Sequence, residues 1–188
     1  MTEHRLVFNG MIYEKQSNAL RHRVAAILER SDFGSLTIVF SSDGGSTDEG
    51  FALYNFIRAL PVPIHMHAAG HVGSMAVPVF LAGHERTCSP YARFFFHAYD
   101  WEFEGTQMSD RIAEALKRLN SDIDLSREIA ARHTKIPKER LLRLYATNPD
   151  PTIFTPQEAK RFAIVDDIVE LNPKGENQDD VALWTVGW

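Results

Sequence analysis

LTIVFSSDGGSTDEGFALYNFIRAL, residues 36–60, places an apolar run before two glycines and a helical pattern after them. A continuous apolar run such as LTIVF is typical of a buried strand, and SSDGGS is typical of a turn. The apolar residues that follow recur at helical spacing until Pro61 and Pro63 end the pattern. The stretch therefore predicts a strand, a glycine-rich turn and a helix.

The same order occurs again directly afterwards. Residues 64–69 predict a second strand, GHVGS forms a second glycine-rich turn, and residues 75–82 predict a second helix. A third strand, ARFFFH at 92–97, precedes a long helix from about Thr106 to His133. Alternating strands and helices indicate an α/β fold, in which functional groups are expected in the turns at the carboxyl ends of strands.

The rest of the chain adds shorter elements. The pattern predicts a strand over 5–8, helices over 18–29 and 138–145, a helix starting in FTPQEAKRF, and a closing strand in IVDDIVEL. We divide the chain into a domain over 1–171 and a tail over 172–188. The tail ends in the apolar stretch VALWTVGW, which is expected to dock on a neighbour or on its own domain, with a disordered end as the alternative.

Composition narrows the class of protein. The chain has 188 residues, 44% hydrophobic and 24% charged, which is the balance of a globular domain with its own core. A net charge of -5 argues against a nucleic-acid partner, which would require clustered Lys and Arg. Short apolar runs and the absence of a secretion-signal pattern argue against a membrane partner and predict a cytoplasmic location. Cys88, the single cysteine, cannot form an internal disulfide and is expected to be buried.

Three positions could carry chemistry. In DGGS, residues 43–46, paired glycines could aim backbone N–H groups at a developing anion, although a plain tight turn is the simpler reading. Ser74 in GHVGSM could be a nucleophile, with the Met75 amide as an oxyanion donor, or only a helix cap. His97, 23 residues further on, could accept the serine proton or could pack in the core after three phenylalanines.

These stretches together resemble the ClpP family, the proteolytic subunit of Clp serine proteases. The likeness covers about residues 5–171 and rests on SSDGGSTDEGFALYNFI, GHVGSMAVPVFLAGHERTCSPYARFFFHAY, RHTKIP and FTPQEAKRFAIVDDIVEL. The resemblance implies a ClpP/crotonase fold, a spiral of ββα units with a long protruding helix used in ring assembly. It also implies seven-subunit homo-oligomeric rings stacked in pairs, peptide or polypeptide substrates, and no cofactor or metal.

The resemblance also implies the roles of individual residues. Ser74 becomes the nucleophile, His97 the general base, and the amides of Gly45 and Met75 the oxyanion hole. The third triad member has no ungapped match, so Asp150, with Asn148 as runner-up, could reach its place after a small insertion. Asp150 is the better chemical choice because a carboxylate stabilises an imidazolium ion, whereas an amide can only orient the ring.

Two departures from the family pattern bear on function. Asp43 stands where the family usually has proline before the paired glycines, which adds a negative charge near the predicted oxyanion hole. The chain also starts almost at the first strand, without the segment that forms axial gating loops in the family. That start argues against docking to an AAA+ ATPase unfoldase.

Two other functions are compatible with the pattern. The chain could be a weak or inactive ClpP-like ring subunit, because its triad is incomplete in sequence. It could also be a crotonase-type acyl-CoA enzyme, which would use carboxylates rather than a serine and a histidine. A metal site at His65, His67 and His71 is a further possibility, but no carboxylate completes it, so structural roles are expected for these three histidines.

Overall fold

The computed structural model describes residues 1–146, 152–171 and 181–186. Within them the strands are β1 (Thr2–Asn9), β2 (Phe33–Ser42), β3 (Ile64–Gly73), β4 (Glu85–Cys88), β5 (Arg93–Phe96), β6 (Thr152–Phe154), β7 (Asp167–Ile168) and β8 (Val181–Thr185). The helices are α1 (Glu14–Leu28), α2 (Thr47–Ala59), α3 (Ala76–Leu81), α4 (Ser109–His133), α5 (Lys138–Leu144) and α6 (Pro156–Arg161). None of the helices in these ranges is both long and apolar enough to span a membrane.

Parallel pairing joins most of the strands into one sheet, in the order β6-β5-β3-β2-β1-β8. On the side away from β2, the first half of β3 pairs with β4 and its second half pairs with β5. β7 extends the sheet beyond β4, and β6 runs antiparallel to β5. The predicted mixed α/β class, with strand, glycine-rich turn and helix in repeated order, is confirmed.

One face of the sheet forms the core. Leu6, Ile38 and Met66 are neighbours in register on β1, β2 and β3, and all three are fully buried. Helix α1 packs against β1, helix α3 packs against β3, and helix α2 packs against both of these helices. The run LTIVF forms a central strand because every second side chain enters this core while its backbone pairs on both sides.

The opposite face of the sheet carries polar side chains. His65 and His67 of β3 both contact the hydroxyl of Thr87 on β4, at 2.7 and 2.8 Å, and His67 also contacts the hydroxyl of Ser89 at 3.0 Å. Among the described residues no group of His, Cys, Asp or Glu side chains is arranged to hold a metal ion. These two histidines therefore belong to a hydroxyl–imidazole network.

Two short strands, β4 and β6, were not predicted, and the closing strand is only the two-residue β7. β4 contains Arg86, whose guanidinium group is buried and donates hydrogen bonds to backbone carbonyls of Gly83, His133, Ala163 and Ile164 at 3.0–3.3 Å. The sequence of β4 is polar and did not indicate a buried strand. Most of the carbonyl groups that bind the buried Arg86 come from segments far away in the chain.

The described part of the apolar C-terminal stretch docks on the same chain. β8 pairs in parallel with β1, and the indole nitrogen of Trp184 donates to Nδ1 of His4 at 3.1 Å. The guanidinium group of Arg30 lies 5.6 Å from the centre of the Trp184 ring. The first and last described strands are therefore neighbours.

Helix α4 is the longest element, with 25 residues, and begins at Ser109 rather than at Thr106. Its C-terminal half is partly buried through Ile123 and Ile129. Its N-terminal half leaves Ile112 and Leu116 48% and 56% exposed. The helix thus extends an apolar surface beyond the core of the chain.

Candidate active site

The turn after β2 holds two glycines in conformations that other residues rarely adopt. Gly44 has φ +103° and Gly45 has φ +144°. A Cβ atom on Gly45 would lie 2.4 Å from the carbonyl oxygen of Ile12. Only glycine fits here because both the backbone angle and the close approach exclude a side chain.

The amide of Gly45 remains available. Ile12 forms an isolated parallel β-bridge with Gly45. In this bridge the Ile12 amide donates to the Gly44 carbonyl at 2.7 Å, and the Ser46 amide donates to the Ile12 carbonyl at 2.9 Å. In a parallel bridge the residue between the two bonded residues, here Gly45, directs its own N–H away from the bridge partner. Within the described part of the chain the Gly45 N–H donates no hydrogen bond, as expected of a donor reserved for a ligand.

The turn after β3 holds Ser74 in a left-handed conformation, with φ +54°. Its amide donates to the carbonyl of Phe95 on β5 at 2.9 Å. Its hydroxyl makes no hydrogen bond to any other described residue, and the N-cap of α3 is Met75, which has no side-chain cap. Ser74 is therefore not a helix cap, and its strained backbone is of the kind that clusters at functional sites.

The two turns are in direct contact. A Cβ atom on Gly44 would lie 2.7 Å from Cβ of Ser74 and 3.0 Å from the amide nitrogen of Met75. The Met75 amide donates to no described residue, while its side chain is buried in the space left by Gly50. The structure thus places the Ser74 side chain next to the unused amide of Met75 and against the turn that contains Gly45, at one edge of the sheet.

His97 follows the end of β5 and lies on the same edge. Its imidazole stacks on Phe95, with ring centres 4.9 Å apart and planes 19° apart. The carbonyl of Phe95 accepts the hydrogen bond from the Ser74 amide. His97 therefore follows, by two residues, the residue that binds the serine turn. Among the described residues no hydrogen bond joins the imidazole to the Ser74 hydroxyl.

The predicted third members, Asp150 and Asn148, lie outside the described residues. The strand that follows them is described: Thr152 of β6 is paired with Phe96 of β5. Phe96 directly precedes His97. The chain after Asp150 therefore returns to the sheet beside the predicted base.

A cavity of about 680 Å³ opens next to His97. Its wall includes Tyr99, Trp101, Ile112 and Leu116, so the exposed half of α4 forms one side. Trp101 is 42% exposed and forms part of this wall. The sequence predicted the long helix, but it did not indicate which segment of the chain faces it.

Acidic and thiol groups around the site differ in their surroundings. Asp43, directly before the paired glycines, has a side chain that is 75% exposed. Asp122 of α4 is buried and accepts a hydrogen bond from the hydroxyl of Thr47 at 2.7 Å. Cys88 is buried as predicted, and burial raises the pKa of its thiol to about 11, so it is not a reactive thiolate at neutral pH.

Comparison with known proteins adds a family to this geometry. A sequence profile described as Clp protease matches residues 1–172. The chain belongs to the Clp protease family. Its Clp relatives include the ATP-dependent Clp protease proteolytic subunit of Deinococcus radiodurans, 23% identical over 171 residues that span 88% of this chain and 80% of that protein.

Two further Clp matches agree in extent. The ATP-dependent Clp protease proteolytic subunit 2 of Borreliella burgdorferi is 28% identical over 173 residues, which are 88% of this chain and 82% of that protein. A solved structure of a ClpP1 mutant from Listeria monocytogenes has a TM-score of 0.76 at 18% identity and covers 94% of this chain and 93% of its own. The ClpP-like fold expected from the sequence is therefore confirmed.

Proposed function

We propose that this chain is a serine peptidase that cleaves peptide bonds at Ser74. One observation carries the proposal: the free hydroxyl of Ser74 lies where two turns meet, next to the unused amide of Met75 and against the turn that contains the unused amide of Gly45. Membership of a family whose named relatives are proteolytic subunits supports the same reaction.

The proposed chemistry is acyl transfer. The Ser74 oxygen attacks the carbonyl carbon of the substrate while its proton passes to His97, and the resulting oxyanion accepts hydrogen bonds from Gly45 and Met75. His97 then gives the proton to the leaving amine, which leaves an acyl-enzyme. Water hydrolyses the ester by the same route, with His97 again accepting and returning the proton.

Asp150 is proposed as the group that orients His97, with Asn148 as the runner-up. Pairing of Thr152 with Phe96 supports a segment near His97 that could supply it. A carboxylate would stabilise the imidazolium ion formed during attack. Asp150→Asn should therefore lower kcat by about 100-fold or more if Asp150 has this role, whereas Asn148→Ala should have little effect.

Peptide substrates would lie with an apolar side chain in the cavity beside His97. The apolar wall from Trp101, Ile112 and Leu116 favours such a side chain over a charged one. The exposed apolar half of α4 also favours assembly of several copies, and homo-oligomeric rings are proposed on that basis and on family membership.

A fluorophosphonate probe tests the nucleophile. The wild-type protein should be labelled, Ser74→Ala should not, and His97→Gln should be labelled at least 100-fold more slowly. Ser31→Ala, the same chemical change at an exposed turn, serves as the matched control and should be labelled normally. Equal labelling of wild type and Ser74→Ala would overturn the proposal.

A non-catalytic subunit is the second candidate, because no hydrogen bond joins the described Ser74 hydroxyl and His97 imidazole. It predicts neither labelling nor peptide cleavage by the pure protein. Co-purification with an active relative would then support that function. Enoyl-CoA hydration unaffected by Ser74→Ala would instead support a crotonase-type enzyme.

A further inference from the structure

The hydroxyl of Tyr99 joins the side chain of Met75 to helix α4. It lies 2.6 Å from the hydroxyl of Ser126 on α4 and 3.5 Å from the sulfur of Met75. Both contacts form together when Ser126 donates to Tyr99 and Tyr99 donates to Met75. Ser126 is fully buried and Tyr99 is nearly so, so water does not compete for these hydrogen bonds.

The aromatic ring of Tyr99 contacts the proposed base. The ring centres of Tyr99 and His97 are 6.3 Å apart and their planes lie at 87°, which is an edge-to-face arrangement. Tyr99 therefore touches two parts of the proposed site, the imidazole of His97 through its ring and the side chain of Met75 through its hydroxyl.

The amide of Met75 has no hydrogen bond of its own to fix its direction. Among the described residues it donates to no acceptor, and Met75 is the N-cap of the short helix α3. Its side chain is fully buried against Gly50 of α2, where a Cβ atom would lie 3.0 Å from the sulfur. The direction of the amide beside Ser74 therefore depends on how this side chain is anchored.

A second buried tyrosine lacks such a link. Tyr145 is buried, and its ring centre lies 6.2 Å from that of Tyr99. In the described part of the chain the hydroxyl of Tyr145 has no hydrogen-bond partner. Burial raises the pKa of both hydroxyls, so both phenols are neutral at ordinary pH. The two tyrosines are thus alike in burial and differ in whether the hydroxyl is bonded.

We infer that Tyr99 is a positioning residue of the proposed peptidase site, whose hydroxyl ties the Met75 side chain to Ser126 of α4 and so directs the Met75 amide toward the oxyanion. The inference rests on the proposed function of Ser74. It assigns no proton transfer with substrate to Tyr99 or Ser126.

Tyr99→Phe removes the hydroxyl and keeps the ring beside His97. Removing an oxyanion donor outright costs about 100- to 1,000-fold in kcat. In this variant the donor stays and only its direction loosens, so kcat for a fluorogenic peptide and the rate of fluorophosphonate labelling should both fall about tenfold. KM should stay at the wild-type value, because the ring remains in the cavity wall.

Ser126→Ala removes the other end of the same link. It should also slow both rates about tenfold, again without a change in KM. The double variant should be no slower than either single variant, because both changes remove one shared interaction. The shape of the profile of kcat/KM against pH should be that of wild type in all three, since a neutral phenol takes no part in proton transfer.

Tyr145→Phe is the matched control, because the same chemical change removes a buried hydroxyl that has no described partner. It should keep the wild-type kcat and labelling rate. Urea unfolding shows whether each variant is folded, and all rates are measured far from the unfolding transition. If Tyr99→Phe does not fold, Ser126→Ala decides the question.

Four results would each overturn the positioning role. They are wild-type rates in a folded Tyr99→Phe or Ser126→Ala protein, a loss confined to KM, a loss of about 100-fold in the double variant, which would mean independent effects, and equal slowing by Tyr145→Phe.

Failure of the proposed function gives a different result. In that case the wild type is not labelled, or Ser74→Ala is labelled as fast as wild type, and both ideas are overturned. Labelling that depends on Ser74 but is unchanged in the Tyr99 and Ser126 variants overturns only the positioning role.

Discussion

Replacing Gly44 with alanine tests the contact between the two turns. Gly44 has φ +103°, a conformation that costs an alanine about 1–3 kcal/mol. Its new Cβ would lie 2.7 Å from Cβ of Ser74, whereas ordinary contacts begin at 3.4 Å. The two turns must therefore separate by roughly 0.7 Å, and misplacement of about 1 Å in an active site can cost about 100-fold in rate.

We expect Gly44→Ala to lower the free energy of unfolding by about 2 kcal/mol and the melting temperature by about 4–8 °C. We expect fluorophosphonate labelling of Ser74 to slow by about 100-fold. Thermal unfolding and the labelling rate, measured on the same preparation below the melting transition, give the two values.

Gly105→Ala is the matched control. Gly105 also has a positive φ, +68°, but a Cβ atom there would meet nothing within 4 Å. In this variant the backbone strain should lower the free energy of unfolding by a similar amount, but the labelling rate should stay at the wild-type value. Normal labelling of a folded Gly44→Ala protein, or equally slow labelling of Gly105→Ala, would refute the reasoning.

Two other predictions concern stability. Arg86→Met should lower the free energy of unfolding by about 3 kcal/mol, because it leaves buried carbonyls without donors. In urea unfolding the midpoint should fall with an unchanged m-value. An unchanged midpoint would contradict the role of Arg86. For His67, burial lowers the pKa to about 4, so the unfolded chain binds a proton that the folded chain does not between about pH 6.5 and pH 4. Stability should therefore fall as pH is lowered through that window, by up to about 3 kcal/mol for this residue, and His67→Gln should remove that part of the pH dependence in urea titrations. His133, whose pKa burial also lowers to about 4, should contribute in the same direction, so a pH dependence unchanged in His67→Gln would assign the effect elsewhere.

Local sequence signals predicted the elements that surround the site. β2 and α2 follow from LTIVF and from the apolar residues at helical spacing after the turn. In the structure the Ser46 hydroxyl caps α2 by accepting a hydrogen bond from the Glu49 amide. The paired glycines predicted a tight turn, and the positive φ values of Gly44 and Gly45 confirm it. These features depend on a few neighbouring residues, which is why the pattern was sufficient.

The missed elements depend on distant partners. β4 and β6 have four and three residues, and their pairing depends on strands elsewhere in the chain. α1 begins at Glu14 rather than at the predicted Asn18. The start was missed because the N-cap residue makes no side-chain cap hydrogen bond, so the sequence carried no capping signal.

In the candidate site, too, contacts between residues far apart in sequence could not be predicted. Parallel strand order predicted that the turns with Gly45 and Ser74 would lie at one edge, and the contact at Gly44 shows how closely they meet. Nε2 of His71 on β3 lies 3.6 Å from Oδ1 of Asp43 in the turn after β2. This contact was not predicted, because strand order does not fix where side chains of a strand and a turn meet. The roles of Ser74 and His97 stay predictions for the labelling experiment.

The position of β8 has a consequence for solubility. An uncovered strand edge is a template on which other molecules can polymerise into aggregates, and the eight-residue β1 offers a longer template than the five-residue β8. By lying against β1, the C-terminal strand shields the longer template within the same molecule. Shortening the chain before residue 181 would therefore create an aggregation hazard, so expression work should retain this segment.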